Sequence, residues 1–205
     1  MPEEETPSCL KLLNLLWLIS FSKGGTSINT FEPIEEEERF SGSVISVFEA
    51  TIRGPKTEIL SREITRHPGA VCIVPLDGST VTMIRQYRCA ADQYLLEIPA
   101  GKRDIDGEPP EETAKRELIE EVGLNAGKIH LLGEYYNSPG FCDEYSYCYL
   151  ATDCVPVPDS RQGIEEEYME IVHINLDDVP QMIAEKRIVD AKSIVGLMLA
   201  KEHVR

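Results

Sequence analysis

Six glutamates lie within fourteen residues of the stretch IPAGKRDIDGEPPEETAKRELIEEVGL. They are Glu108, Glu111, Glu112, Glu117, Glu120 and Glu121. Like charges three or four residues apart weaken a helix, so the cluster is either screened by water or arranged to hold a cation. Hard cations such as Mg²⁺ prefer oxygen ligands of this kind. The stretch is therefore a candidate metal site, with a solvated acidic helix face as the alternative.

The same stretch predicts a helix that places three carboxylates along one edge of its buried face. Two prolines suit the start of this helix, and Gly123 suits its end. At about 100° per residue, the side chains of Glu117, Glu120 and Glu121 fan over about 100° of the helix surface. An apolar stripe beside them is expected to dock on a sheet: Ala114, Leu118 and Val122. Charge at such a border is weakly screened, which favours binding of a cation.

Strand patterns lie on both sides of the predicted helix. Strands are expected at residues 43–53, 57–64, 69–76, 81–88, 94–101, 129–136, 145–151 and 169–175. A last amphipathic helix is expected over residues 178–200, with a break near residues 188–190. The order strands, helix, strands, helix predicts an α/β or α+β sandwich with a mixed sheet.

Composition limits the partners and the compartment. The 205 residues carry 36 acidic and 20 basic side chains, for a formal net charge of −16. This balance argues against nucleic acid as a partner of the whole surface, and an anionic substrate would need local arginines or a bridging cation. The 6 cysteines include no C-x-x-C pair, which favours reduced thiols in a cytoplasmic protein over disulfides or a zinc site.

Residues 1–43 are expected to form an N-terminal extension or linker that is partly ordered at best. The apolar block at 9–21 is shorter than the roughly 20 residues that a membrane-spanning helix needs, and the start MPEEE lacks the basic residues of a secretory signal. We therefore expect no membrane span. The main domain is expected to cover residues 44–205, with N-terminal strands in 44–68 and the catalytic core in 69–205.

Gly101, Glu108 and the run RELIEEVGL at 116–124 resemble the Nudix box, G-x5-E-x7-R-E-U-x-E-E-x-G-U, in which U is aliphatic. Every fixed position from Glu108 onward agrees. Six residues, not five, separate Gly101 from Glu108, and the extra residue falls in the loop before the helix, where insertions are tolerated. The resemblance implies the Nudix α/β/α sandwich and a hydrolase that cleaves nucleoside diphosphates linked to another moiety.

The resemblance also implies Mg²⁺, or Mn²⁺, with two or more ions per site. Glu117, Glu121 and the backbone carbonyl of Ala100 are the implied metal ligands, and Glu120 is an implied catalytic residue. The implied structural residues of the box are Gly101, Glu108, Arg116 and Gly123, with Arg116 reaching back to Glu108 as an ion pair.

Four further segments resemble the ADP-ribose pyrophosphatase subfamily. They are SREITRHPGAVCIVPL, IRQYR, the SPGF loop with Pro139 placed 15 residues after Leu124, and EKRIVDAKSIVGLMLA. The resemblance implies hydrolysis of ADP-ribose to AMP and ribose 5-phosphate. It implies a homodimer in which the N-terminal strands cross to the second subunit. The implied substrate-binding residues are Arg62, Glu63, Arg88 and Pro139.

The loop SRQGIEEEYMEIV holds two more candidates. Glu165 is the implied catalytic base, because a mobile loop can close over bound substrate, and Glu167 is an implied metal ligand. The alternative for this loop is a solvated acidic run.

Other substrates stay open: a nucleotide sugar such as GDP-mannose, NADH or an oxidised nucleotide. A non-catalytic nucleotide-binding module is the remaining alternative, although such a module would be expected to lack box glutamates.

Overall fold

The computed structural model describes residues 30–158, 161 and 164–205. The apolar block at 9–21 lies outside these residues. The first strands are β1 (Glu32–Ser41), β2 (Ser46–Arg53) and β3 (Ile59–Arg66), which form a three-stranded antiparallel sheet in the order β1-β2-β3. The N-terminal antiparallel strands are thus confirmed. Strand β1 also covers residues that we expected to be a linker, and all ten of its side chains are exposed.

A seven-stranded mixed sheet forms the body of the protein. Its strands are β4 (Ala70–Asp77), β5 (Thr80–Arg88), β6 (Gln93–Glu97), β7 (Ala100–Lys102), β9 (Lys128–Tyr136), β10 (Tyr145–Thr152) and β12 (Glu170–Asn175). Its main order is β12-β5-β4-β10-β9, with β6 beside β5 and β7 beside β4. The short strands β8 (Leu124–Asn125) and β11 (Val155–Pro156) pair with each other. Strands β4 and β10 run parallel, and the other paired strands of the large sheet run antiparallel.

Helices cover both faces of this sheet. They are α1 (Pro110–Val122), α2 (Ile164–Glu167), α3 (Val179–Ala184) and α4 (Ala191–His203), with a 3₁₀ turn at Leu176–Asp178. Alternate residues of β4 point to opposite faces. Val71 and Ile73 belong to the core under α1, whereas Cys72 and Val74 belong to the core under α3 and α4. The predicted α/β/α sandwich with a mixed sheet is therefore confirmed.

Helix α1 has the predicted limits and the predicted buried face. Ala114, Leu118 and Val122 are all buried in the core beneath it. Gly123 ends the helix with φ 63°, and its N–H donates to the Ile119 carbonyl at 3.0 Å. Glycine adopts this left-handed conformation without the steric cost of a Cβ atom.

The segment predicted as one strand at 94–101 is two strands. Residues up to Glu97 pair with β5, and residues from Ala100 pair with β4. Strands β6 and β7 therefore have different neighbours. Pro99 lies at the crossing, where it lacks an N–H to donate while its carbonyl accepts from the Ile73 N–H at 2.9 Å. The crossing brings Ala100 and Gly101 against α1. No helix in the described residues is long and apolar enough to cross a membrane.

Candidate active site

A cleft of about 760 Å³ opens between α1, the β6–β7 crossing and the start of α4. Carboxylates and cations both line it. The acidic side chains are Asp104, Glu117, Glu120, Glu121, Glu144 and Asp190. The basic ones are Arg88, Lys102, Arg116 and Lys192, with His67 nearby. Because carboxylates outnumber cations here, a polyanion could bind only through these arginines and lysines together with a cation that bridges it to the carboxylates.

Gly101 lets the backbone of β7 approach Glu117 closely. A Cβ atom built on Gly101 would lie 1.8 Å from Glu117 Cδ and 2.2 Å from each carboxylate oxygen. Only glycine leaves room for this carboxylate beside the Ala100–Gly101 backbone. The crossing and α1 therefore place the Glu117 oxygens next to the main chain of Gly101.

Glu121 is held at the same crossing. Its Oε2 accepts a hydrogen bond from the Ala100 N–H at 2.9 Å, and the residue is 5% exposed. Glu121 and Glu117 lie one helical turn apart on α1, so both contact the Ala100–Gly101 segment. Glu120 also lines the cleft. The three carboxylates thus gather at one edge of α1, as the helical spacing predicts.

Arg116 joins the box carboxylates into one cluster. It donates to Glu108 through Nε at 3.3 Å and Nη2 at 3.2 Å. Its Nη1 donates to Glu117 Oε1 and to Glu120 Oε2, each at 2.9 Å. Burial opposes the charge on Arg116, but the bonds to Glu108 and the charges of Glu117 and Glu120 raise its pKa overall. The contact with Glu108 holds the entry loop onto α1.

Burial and repulsion from Glu120 raise the pKa of Glu117 to about 7, although Arg116 acts in the opposite direction. This carboxylate is deprived of water without a full counter-charge, and a divalent cation would supply that charge. The donors nearby are hard oxygen atoms, the type that Mg²⁺ and Mn²⁺ bind. Within the described part of the chain, no three acidic, His or Cys side chains already converge as an ion cage, since Arg116 draws two of the carboxylates to itself. The residues fit a divalent cation in chemistry and position.

A second charged group, which includes Arg88, Lys192 and Asp190, also lines the cleft. Arg88 donates to both oxygens of Glu97, at 2.8 and 2.6 Å, and the ammonium of Lys192 contacts the same carboxylate. Lys192 also donates to Asp190 at 3.0 Å. Burial by itself would raise the pKa of Glu97, but the hydrogen bonds and charges of Arg88 and Lys192 hold that pKa below its usual value. Glu97 is therefore an ionised carboxylate inside the fold.

We expect Glu97 to stabilise the fold at neutral pH and to lose this effect in acid. Because its folded-state pKa lies below the unfolded value of about 4.3, the stabilisation is complete above that value and disappears as pH falls through the folded-state pKa. Thermal unfolding of the wild type and of Glu97→Gln, followed from neutral pH down to about pH 3, measures it. The difference in Tm should shrink with acidification, and a constant difference would contradict this.

Three of the proposed substrate residues do not line this cleft in the single chain. Arg62 and Glu63 lie exposed on β3 in the separate small sheet, and Arg62 donates to the Ser61 carbonyl at 2.7 Å. Pro139 lines a smaller cavity of about 250 Å³, together with other residues of the loop before β10 and with the end of β3 at Ile64. Arg88 is the one of the four proposed residues that faces the large cleft.

The acidic loop residues are only partly placed. Glu165 lies in the short helix α2, and its side chain is outside what the structure describes. Glu167, at the end of the same helix, is exposed. The backbone of α2 packs near β5. The roles of both residues remain predictions.

Glu97 and Lys192 were not recognised from the sequence. The available signal for Glu97 was one carboxylate inside the apolar run YLLEIP, since a buried charge requires a partner. Lys192 gave no such signal, because its partner is 95 residues away in the chain. Asp190 was recognised only as a break before the last helix, where it accepts from the Ser193 N–H at 2.9 Å as the cap of α4.

Comparison with known proteins places the cleft within a matched region. A model of the NUDIX domain matches residues 65–194. The ADP-ribose pyrophosphatase of Bacillus subtilis is 36% identical over 165 residues, which cover 80% of this chain and 89% of that protein. The GDP-mannose pyrophosphatase of Yersinia pestis is 35% identical over 134 residues, covering 60% of this chain and 65% of that protein.

The fold is also similar to a solved one. A crystal structure of an ADP compounds hydrolase superposes with a TM-score of 0.74 and 24% identity, covering 88% of this chain and 97% of that one. At 24% identity, this similarity shows that the two proteins share a fold.

Proposed function

The chain belongs to the Nudix family of hydrolases, and from that premise we propose that it hydrolyses the diphosphate of ADP-ribose to AMP and ribose 5-phosphate. The observation that carries the proposal is the edge of α1 in the cleft, where Glu117, Glu120 and Glu121 line the same cavity as Arg88 and Lys192. Carboxylates suit bridging cations, and guanidinium and ammonium groups suit phosphate oxygens.

Mg²⁺ is the proposed cofactor, with Mn²⁺ as a substitute and two or more ions per site. Glu117, Glu121 and the carbonyl of Ala100 would hold the ions, together with Glu167 from α2. When bound, the ions would neutralise the diphosphate oxygens and make water a stronger nucleophile. Glu117 and Glu121 are suited to this task because the Ala100–Gly101 backbone fixes their carboxylates.

The other residues have proposed roles in proton transfer and substrate binding. Glu165 would accept the proton of the attacking water, with Glu120 assisting from the cleft edge. Arg88 would bind phosphate oxygens as a bidentate donor. Gly101, Glu108, Arg116 and Gly123 shape the loop and helix, as their contacts indicate.

We further propose a homodimer that completes the substrate site. Arg62 and Glu63 lie on an exposed sheet of the single chain, and Pro139 borders a separate small cavity. A second copy that brings its small sheet to the cleft would let all three contact substrate.

The proposed boundary between the N-terminal extension and the main domain stays at residue 44, with β1 as an ordered part of the extension. The cysteines of the described residues are free thiols, which fits a proposed cytoplasmic location.

A substrate panel with Mg²⁺ tests the activity. We expect kcat/KM for ADP-ribose to exceed that for GDP-mannose, NADH and oxidised nucleotides by about tenfold or more, a difference that about 1.4 kcal/mol of transition-state binding provides. GDP-mannose is the second candidate, because the Yersinia relative is 35% identical over 134 residues. Equal rates on ADP-ribose and GDP-mannose would refute the ADP-ribose proposal. Hydrolysis in heavy-oxygen water then identifies the phosphorus that is attacked.

A further inference from the structure

Arg88 is a cation that lines the cleft and already has a partner within the protein. Its guanidinium makes a bidentate pair with Glu97, while 38% of its side chain remains exposed. The Glu97 side chain is 1% exposed. Arg88 can therefore turn toward an anion that enters the cleft, whereas Glu97 cannot follow it out of the fold.

Lys192 is the second cation on the same carboxylate, and a rigid frame holds it there. Its ammonium contacts Glu97 and donates to Asp190 at 3.0 Å, with 15% of the side chain exposed. Asp190 accepts from the Ser193 N–H at 2.9 Å and from its hydroxyl at 2.6 Å. The same hydroxyl accepts from the Ile98 N–H at 2.9 Å. The frame thus ties the start of α4 to the end of β6.

The charges of this group determine how easily Arg88 can leave. Two cations, Arg88 and Lys192, balance two carboxylates, Glu97 and Asp190. If Arg88 turns to a diphosphate, Lys192 still pairs with both carboxylates. Without Lys192, the same movement would leave Glu97 buried and unpaired, which is strongly unfavourable. Release of Arg88 therefore depends on the charge of Lys192.

The wall beside Arg88 is also prepared for a ligand. Gln86 lies two residues earlier on β5, so its side chain shares the face of the strand with Arg88. It lines the cleft, is 6% exposed, and its Oε1 has no hydrogen-bond partner among the described residues. Buried polar atoms are nearly always satisfied, so a donor that enters the cleft, from water or from a ligand, completes this wall.

We propose that Lys192 is a positioning residue that keeps Glu97 paired while Arg88 turns from Glu97 to the phosphate oxygens of an incoming diphosphate. Arg88 is then a shared cation: Glu97 holds it in the free enzyme, and the substrate holds it in the complex. The inference rests on the proposed function and adds the exchange of partners that accompanies binding. Lys192 acts through Glu97, and no bond to it is made or broken in the reaction.

The variant Lys192→Met tests this exchange, because it keeps the length of the side chain and removes its charge. We expect KM to rise about tenfold or more, the size of effect that one lost partner of a buried charge pair can produce. The change in kcat should be smaller, because the interaction is made on binding. Calorimetric binding of inorganic pyrophosphate in the presence of Mg²⁺ should weaken by a similar factor, and Lys192→Arg should retain near-normal binding.

A second substitution separates positioning from simple support of the fold. In Lys192→Met, the carboxylate of Glu97 holds Arg88 back, so adding Glu97→Gln should recover most of the lost affinity. Lys201→Met is the matched control, since Lys201 also lies on α4 with 15% side-chain exposure but pairs with Asp177 away from the cleft. Its KM should equal that of the wild type.

Two results would overturn the proposal. One is an unchanged KM and pyrophosphate affinity in Lys192→Met, and the other is a double variant that binds as weakly as Lys192→Met alone. The substrate assignment fails separately: if the wild type prefers another nucleoside diphosphate, the variants are compared on that substrate and on pyrophosphate. The exchange of partners is then judged independently of ADP-ribose.

Discussion

Replacing Glu121 with glutamine should lower the rate of ADP-ribose hydrolysis by about a hundredfold or more at limiting Mg²⁺, because a metal ligand contributes several kcal/mol to the transition state. Glu121 is 5% exposed and accepts from the Ala100 N–H. A glutamine oxygen can accept the same hydrogen bond, so the variant should fold. Steady-state rates across a Mg²⁺ titration measure the loss, which should be partly recovered at high Mg²⁺.

Two further variants, one on the same helix and one in the acidic loop, serve as comparisons for Glu121→Gln. Glu111→Gln changes an exposed carboxylate of α1 that pairs with Lys115, and it should leave the rate and the Mg²⁺ dependence unchanged. Glu165→Gln should lower kcat while the Mg²⁺ dependence stays normal, as expected for a proton acceptor. Undiminished hydrolysis by Glu121→Gln at limiting Mg²⁺ would refute the proposed metal site and the metal-dependent mechanism built on it.

Gly101→Ala should remove most of the activity while most of the stability remains. The new Cβ would fall 1.8 Å from Glu117 Cδ, so the carboxylate must move away from the backbone of residue 101. The carboxylate is the end of a flexible side chain, so its displacement costs little folding energy but misplaces a proposed ligand. We expect kcat/KM to fall on the order of a hundredfold, because misplacement of about 1 Å at a reacting centre has effects of that size.

Gly133→Ala provides the control for this substitution. Gly133 lies on β9 of the same sheet, where a Cβ would meet Leu199 Cδ1 at 3.2 Å. This variant should lose a little stability and keep its kcat/KM, the opposite of Gly101→Ala. Thermal unfolding measures the stability of the two variants, and initial rates measure their kcat/KM. Near-normal activity in Gly101→Ala would show that hydrolysis does not require the Glu117 carboxylate to lie beside the backbone of residue 101.

The sequence by itself determined the acidic wall of the cleft. The spacing of Glu117, Glu120 and Glu121 within one predicted helix, with an apolar stripe beside them, is local information that the helical period translates into geometry. Gly123 as the helix end and the pairing of Arg116 with Glu108 follow from the same short range. The family pattern covers these positions as well. The order of elements predicted an α/β or α+β sandwich with a mixed sheet, and the family resemblance implied its α/β/α arrangement.

Only the tertiary structure decided what shares the cleft with that wall. Glu97 and Lys192 are 95 residues apart, and contact between the start of α4 and the end of β6 brings them together. The acidic run of strand β1, Glu35–Glu38, is typical of a linker, whereas the backbone of the strand pairs with β2. Periodicity along a chain records which side of an element is buried. Periodicity does not indicate which distant element packs against that side, because this depends on how the whole sheet and its helices pack together.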